Sequence, residues 1–187
     1  MGKEMSKTAA SAADPAVLEA MLRAREMRWQ RRMELSENTP ALISVTLCVP
    51  LPFRLCPEGK TLLRDSAERL IKELRRAGAY PEGLCGEAEW TDGADGPCVF
   101  ISCGTDAQAV KRLCVEAEET LLLGRFLDVD VTAQGGQPIG RAELGLPPRR
   151  CFLCGRPAAE CVASSRHDPA EIAAFIKREW SRKAGPG

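Results

Sequence analysis

The chain has one histidine, no net charge and no long apolar run, and each shortage removes a class of function. With His167 alone, acid–base work anywhere else must fall to carboxylates, lysines or water. Lys plus Arg and Asp plus Glu both number 26. Bulk electrostatics therefore give no reason to expect non-specific nucleic-acid binding, and a phosphate site has to be local. The longest apolar stretches, such as Ala41 to Pro52, fall short of the roughly 20 residues that a membrane-spanning helix needs. Neither membrane insertion nor a secretory leader is indicated, and no internal repeat is visible. Nine cysteines, an odd number, lie in sequence that otherwise reads as ordinary core, so a reducing cytoplasm is the expected location.

What is present suits one sizeable core: 187 residues with 44% hydrophobic content. Residues 1–14 read as a disordered tail, 15–146 as an α+β body, and 147–187 as a Cys/His-containing C-terminal segment packed on it. From Pro15 to Glu34 the residues Val17, Leu18, Met21, Leu22 and Met27 recur at helical spacing, with Asp14 as cap and Pro15 in the first turn. The later turns of that helix carry Arg23, Arg25, Arg28, Arg31 and Arg32, either a solvated face or a surface for phosphate or a partner, since guanidinium forks match phosphate oxygens. Ala41 to Val49 reads as a buried strand, after which Pro50, Pro52 and Pro57 predict a loop. Leu62 to Ala77 predicts a helix stopped by Gly78, and a turn-rich stretch through Gly93 to Pro97 includes a possible strand around Cys85 to Trp90. Cys98–Cys103 and Arg125–Thr132 predict strands flanking a helix over Asp106–Leu123. Gln134-Gly135-Gly136 then signals a hairpin that returns through Pro138 to Ala142. The simplest packing of that order is a mostly antiparallel sheet with helices on one face.

In Phe126-Leu127-Asp128-Val129-Asp130-Val131 the two-residue alternation of a strand puts Leu127, Val129 and Val131 on one face and both carboxylates on the other. Positions two apart on a strand are roughly 6.5 Å from each other, within reach of a shared Mg2+ ion. Magnesium prefers a few carboxylates plus substrate phosphate oxygens, so Asp128 and Asp130 suit phosphoryl or nucleotidyl transfer. A solvated outer strand face is the plain alternative. Arg125, just before the pair, is placed to help a phosphate approach.

Cys151-x2-Cys154-x6-Cys161-x5-His167 gathers three cysteines and the lone histidine into a short Gly/Pro-bearing segment. Three thiolates and an imidazole satisfy tetrahedral Zn2+, and a full set of four protein ligands marks a structural clip. Reduced cysteines packed as small hydrophobes, or a Cys–His nucleophile pair, remain open alternatives.

Taken together, Leu123 to Val131 and Leu146-Pro147-Pro148-Arg149-Arg150-Cys151-Phe152-Leu153-Cys154, continuing through Cys161 and His167 and reaching back to Arg25-x-x-Arg28-x-x-Arg31, resemble the apo-citrate lyase phosphoribosyl-dephospho-CoA transferases, or citrate lyase holo-acyl-carrier-protein synthases. Arg32 stands where the family pattern often has glutamine. The resemblance implies transfer of the 5-phosphoribosyl-dephospho-CoA group from triphosphoribosyl-dephospho-CoA to a serine of the citrate lyase acyl carrier subunit, with release of pyrophosphate. It also implies a nucleotidyltransferase-like site, although the Gly-Ser loop usual upstream of such an Asp-x-Asp strand is not evident. On that reading Asp128 and Asp130 hold magnesium, and Arg125, Arg149, Arg150, Arg25 and Arg28 bind substrate. Two other readings remain: a zinc-stabilised module that binds the carrier without chemistry, and a thiol-dependent acyltransferase using Cys154.

Overall fold

The computed structural model describes residues 14–79, 88–121 and 123–183. The expected N-terminal tail up to residue 13, the part of the possible strand at 85–87, and the last four residues lie outside them. Helix α1 (Pro15–Glu37) starts as its sequence dictates: Asp14 accepts a hydrogen bond from the Ala16 amide, and Pro15 occupies a position that needs no N–H. Strand β1 (Ala41–Leu47) follows. The three prolines expected to force a loop instead open helices. Pro50 caps α2 (Leu51–Leu55), Pro52 sits in its first turn, and Pro57 begins α3 (Pro57–Arg76). Proline is tolerated there because first-turn amides have no intrahelical acceptor. Gly78, at φ 70°, turns the chain out of α3.

Strands β2 (Glu89–Gly93) and β3 (Gly96–Cys103) form a hairpin turning at Ala94 and Asp95, so Gly93 and Gly96 are strand ends and the turn is tighter than expected. Helix α4 (Ala107–Thr120), capped by Asp106, ends before Leu123, and a 3-10 turn at Gly124–Phe126 leads into β4 (Leu127–Ala133). The short β5 (Pro138–Ile139) completes the second hairpin. Two helices that the periodicity did not announce, α5 (Ala158–Ala163) and α6 (Pro169–Lys183), close the chain.

The five strands are ordered β2-β3-β1-β4-β5, and every pairing is antiparallel. Ile43, Val45, Val99, Ile101, Val129 and Val131 face α3 and α4 across the main core, which Ile176 of α6 joins with no exposed surface. The expectation that all helices share one face is corrected by α1. Its Leu35 packs on Leu42, Cys98 and Phe100, which belong to the opposite face. Earlier turns of α1 overhang the sheet, leaving Leu18, Leu22 and Met27 more than half exposed at 51%, 55% and 62%. Their helical spacing therefore reports a helix but not a core. Among the described residues, no helix is long and apolar enough to cross a membrane.

Beyond the end of β5, one side of β4 has no partner strand. Helix α4 serves instead: the Lys111 ammonium donates to the Val129 carbonyl at 2.6 Å, and a Glu118 carboxylate oxygen accepts from the Val129 amide at 3.2 Å. Both side chains are buried. Each satisfies a backbone group that would otherwise lie unpaired in the interior. The residue between the two aspartates is thus held rigidly from behind.

Candidate functional site

The register pairs Thr46 with Asp128 and Ser44 with Asp130, so all four side chains emerge on the α1 face. Arg25, Arg28, Trp29 and Arg32 of α1 and Arg54 of α2 close around them in a cleft of about 450 Å3. The aspartate pair and Arg25 and Arg28, far apart in the chain, therefore share one site. Desolvation in the cleft, then the neighbouring Asp128 charge, pushes the Asp130 carboxyl above the usual carboxylate range, while Lys111 and Arg32 pull the other way. Asp128 is half exposed and accepts from Arg149 Nη1 at 3.3 Å. The Ser44 hydroxyl is buried against the same cleft with no hydrogen-bond partner among the described residues.

The arginines of α1 divide by position. Arg28 Nη2 lies 2.5 Å from Oδ2 of Asp95, and Arg25 Nε lies 3.8 Å from the same oxygen. Asp95, in the β2–β3 turn, is almost fully buried, so this carboxylate fixes the cleft wall from below. Arg31 points away from the cleft and forks onto Glu89 of β2 through Nε at 2.8 Å and Nη2 at 2.6 Å. That bidentate pair raises the Arg31 pKa and lowers that of Glu89. From α2, Arg54 donates Nε to the Val49 carbonyl at 2.6 Å. A Cβ at Gly96, whose φ is 107°, would lie 2.8 Å from Arg54 Cβ, so that glycine admits the arginine as well as making the turn.

The remaining predicted arginines lie on the other side of β4. Arg149 Nη2 donates to the Arg125 carbonyl at 2.8 Å and to the Leu127 carbonyl, and its Nη1 lies 3.7 Å from Glu118. Glu118 also meets Arg141 at 2.7 Å. Arg149 therefore ties Asp128 to the carboxylate that holds β4. Arg125 donates to the Phe152 carbonyl at 2.8 Å and lies over the Phe175 ring. Arg150 donates to the Gly155 carbonyl at 3.4 Å. Arg125, Arg141, Arg149 and Arg150 line a second cleft of about 510 Å3.

The four residues of the Cys/His motif converge. Cys151 Sγ and His167 Nε2 are 3.4 Å apart, Cys154 Sγ and Cys161 Sγ are 3.4 Å apart, and all four donor atoms lie within 4.8 Å of one another. Gly155, at φ 73°, makes the tight turn after the first Cys pair. His167 Nδ1 lies 3.5 Å from Glu171, the outer carboxylate that orients many metal-binding imidazoles. The Arg156 amide is the first cause lowering the Cys154 thiol to about 6, whereas burial pushes Cys161 up to about 11. Three thiols and an imidazole at one point could hold a metal ion such as zinc. A nucleophile with its base would need only two of them. Phe152, inside the motif, packs on Phe126 and Phe175 at 5.4 and 5.5 Å, joining this segment to the main core.

Sequence patterns did not point to Arg54, Ser44, Asp95, Lys111 or Glu118. The Asp95-Gly96 turn signal was available, but its partner on α1 was not. Arg54 lay hidden among prolines that read as a loop.

The family described as apo-citrate lyase phosphoribosyl-dephospho-CoA transferase matches residues 16–183 of this chain. A probable apo-citrate lyase phosphoribosyl-dephospho-CoA transferase of Streptococcus pyogenes serotype M18 is 30% identical over 166 residues, 86% of this chain and 83% of that protein. The apo-citrate lyase phosphoribosyl-dephospho-CoA transferase of Escherichia coli O9:H4 is 27% identical over 147 residues, 79% of this chain and 78% of that protein. Protein CitXG of Leuconostoc mesenteroides subsp. cremoris is 31% identical over 148 residues, 77% of this chain but 30% of that longer protein. With the match running from the first turn of α1 to the end of α6, the chain belongs to the apo-citrate lyase phosphoribosyl-dephospho-CoA transferase family.

Proposed function

We propose that this protein transfers a phosphoribosyl-dephospho-CoA group to apo-citrate lyase at a nucleotidyltransferase-like site built on Asp128 and Asp130. The acceptor in this reading is a serine of the acyl carrier subunit, and the donor is triphosphoribosyl-dephospho-CoA. The serine oxygen forms a bond to the α-phosphorus, the bond from that phosphorus to the pyrophosphate breaks, and the serine proton leaves to a base or to water. The product is a phosphodiester.

The observation that carries this reading is the cleft itself. Two carboxylates on one strand face lie under a basic helix, with Asp130 pushed upward by desolvation and by its neighbour. Like charges so placed favour a shared cation, and oxygen donors of this kind suit magnesium. Asp128 and Asp130 would hold it, and it would neutralise charge on the reacting phosphates. Arg149 keeps the Asp128 carboxylate aimed into the cleft, while Lys111 and Glu118 hold the intervening Val129. Arg25 and Arg28 present a positive wall to the substrate, and Arg125 and Arg150 supply cations for the phosphates of its dephospho-CoA portion on the far side of β4.

Residues 15–146 act in this reading as the catalytic body, and the segment from 147 onward, clipped by structural zinc, packs on it. The proposed location is the reducing cytoplasm, supported by the free thiols of all eight cysteines among the described residues.

The test is to incubate the protein with apo carrier, precursor and magnesium and to follow the carrier mass. A mass increase equal to the prosthetic group, with pyrophosphate released, is expected. Asp128→Ala combined with Asp130→Ala should slow this by about a thousandfold, the loss of several kcal/mol of charge stabilisation. A normal rate in the double variant would remove the proposed chemistry. Complex formation without any mass increase would leave only a carrier-binding module.

A further inference from the structure

Four arginines line the cleft, and among the described residues only two of them meet a carboxylate at ion-pair distance. Arg28 and Arg25 lie at 2.5 and 3.8 Å from Asp95. Arg32 and Arg54, both half-buried, have no carboxylate within ion-pair distance among the described residues. Arg54 uses Nε on the Val49 carbonyl, which fixes the guanidinium plane and leaves its two terminal nitrogens without an acceptor among those residues. Half-buried guanidinium groups that no carboxylate meets at ion-pair distance keep donors to offer, so a pair of them beside an unpartnered buried hydroxyl, Ser44, marks the seat of an anion. Guanidinium forks match the paired oxygens of phosphate groups.

We infer that Arg32, Arg54 and Ser44 form the subsite for the departing pyrophosphate end of the substrate. This rests on the transferase reading and adds what holds the leaving group in a chain without an evident Gly-Ser loop. Asp128 and Asp130 mark the reacting phosphorus, and α1 and α2 converge from the side to hold the phosphates beyond it. The arginine on α2 reaches this position because Gly96 has no side chain to block it.

The experiment titrates the full chain with inorganic pyrophosphate in the presence of magnesium, read by calorimetry, with no carrier or precursor present. Wild-type protein should bind. Arg54→Met and Arg32→Met should each weaken binding by about tenfold to a hundredfold, as expected for losing charge-assisted hydrogen bonds, and Ser44→Ala by a smaller factor. Arg76→Met, on the exposed end of α3, should bind as wild type does. Because Arg54 also packs against the β2–β3 turn, melting temperatures accompany each variant, and Arg32→Met with Ser44→Ala decide the matter if Arg54→Met does not fold. Wild-type binding in Arg32→Met and Ser44→Ala, or no binding by the wild type, overturns the subsite. Pyrophosphate binding that is lost in the variants, in a protein that never modifies carrier, would sustain the subsite and sink the transferase reading.

Discussion

The cleft beneath α1 and the Cys/His motif are both gatherings of ligand atoms, but they are finished to different degrees. At the motif, four donors from one short segment meet within 4.8 Å, enough to enclose an ion with no place for substrate. At the cleft, two carboxylates, two hydroxyls and four guanidinium groups come from four separate elements and leave about 450 Å3 open between them. A closed set uses its binding energy to hold the chain together. An open one leaves coordination sites and charges for a ligand to satisfy, which is what chemistry requires.

The strongest way to break this contrast is to open the closed set. If the proposed zinc is held there, Cys161→Ser should abolish its binding and cost several kcal/mol, because metal binding and folding are coupled in such clips. For a chain of this size that corresponds to a fall of roughly 10 °C in melting temperature. Elemental analysis and a thermal melt check it. Residual protein that stays folded should still bind pyrophosphate; loss of that binding with an unchanged melt would assign the motif a direct part in the chemistry.

A smaller effect is expected behind the open site, at the back of β4. Lys111→Met deprives the Val129 carbonyl of its buried donor, a loss of about 1–3 kcal/mol by denaturant unfolding. Carrier modification should slow as well, since Val129 separates the two aspartates. An unaltered rate would show that the back of β4 does not govern the geometry at its front.

The smallest effect sharpens the contrast at the open site. The folded pKa of Asp130 is raised, so its contribution to stability is complete below the unfolded carboxylate range and is lost as pH rises through the folded value. At neutral pH the charged group therefore opposes folding slightly. Asp130→Asn should raise the melting temperature a little at pH 7 and not at pH 3, and magnesium should stabilise the wild type but not this variant. Equal response of both proteins to magnesium would place the ion elsewhere.

Local sequence by itself determined a good deal. The Asp14-Pro15 start of α1, the alternation that places Asp128 and Asp130 on one side of β4, and the Gly-Gly hairpin after it each depend on residues within a few positions of one another. So did the composition of the Cys/His motif, whose four side chains come from 17 residues, Cys151 to His167. Tertiary structure alone decided that α1 would cover the aspartate face, that Asp95 would anchor its arginines, and that Arg54 would reach the cleft past Gly96. Helical spacing on α1 announced the helix but not what covers its stripe, because a period carries no information about the partner surface. Which surface meets which depends on burial summed over the whole chain, and that sum is settled only when distant segments pack.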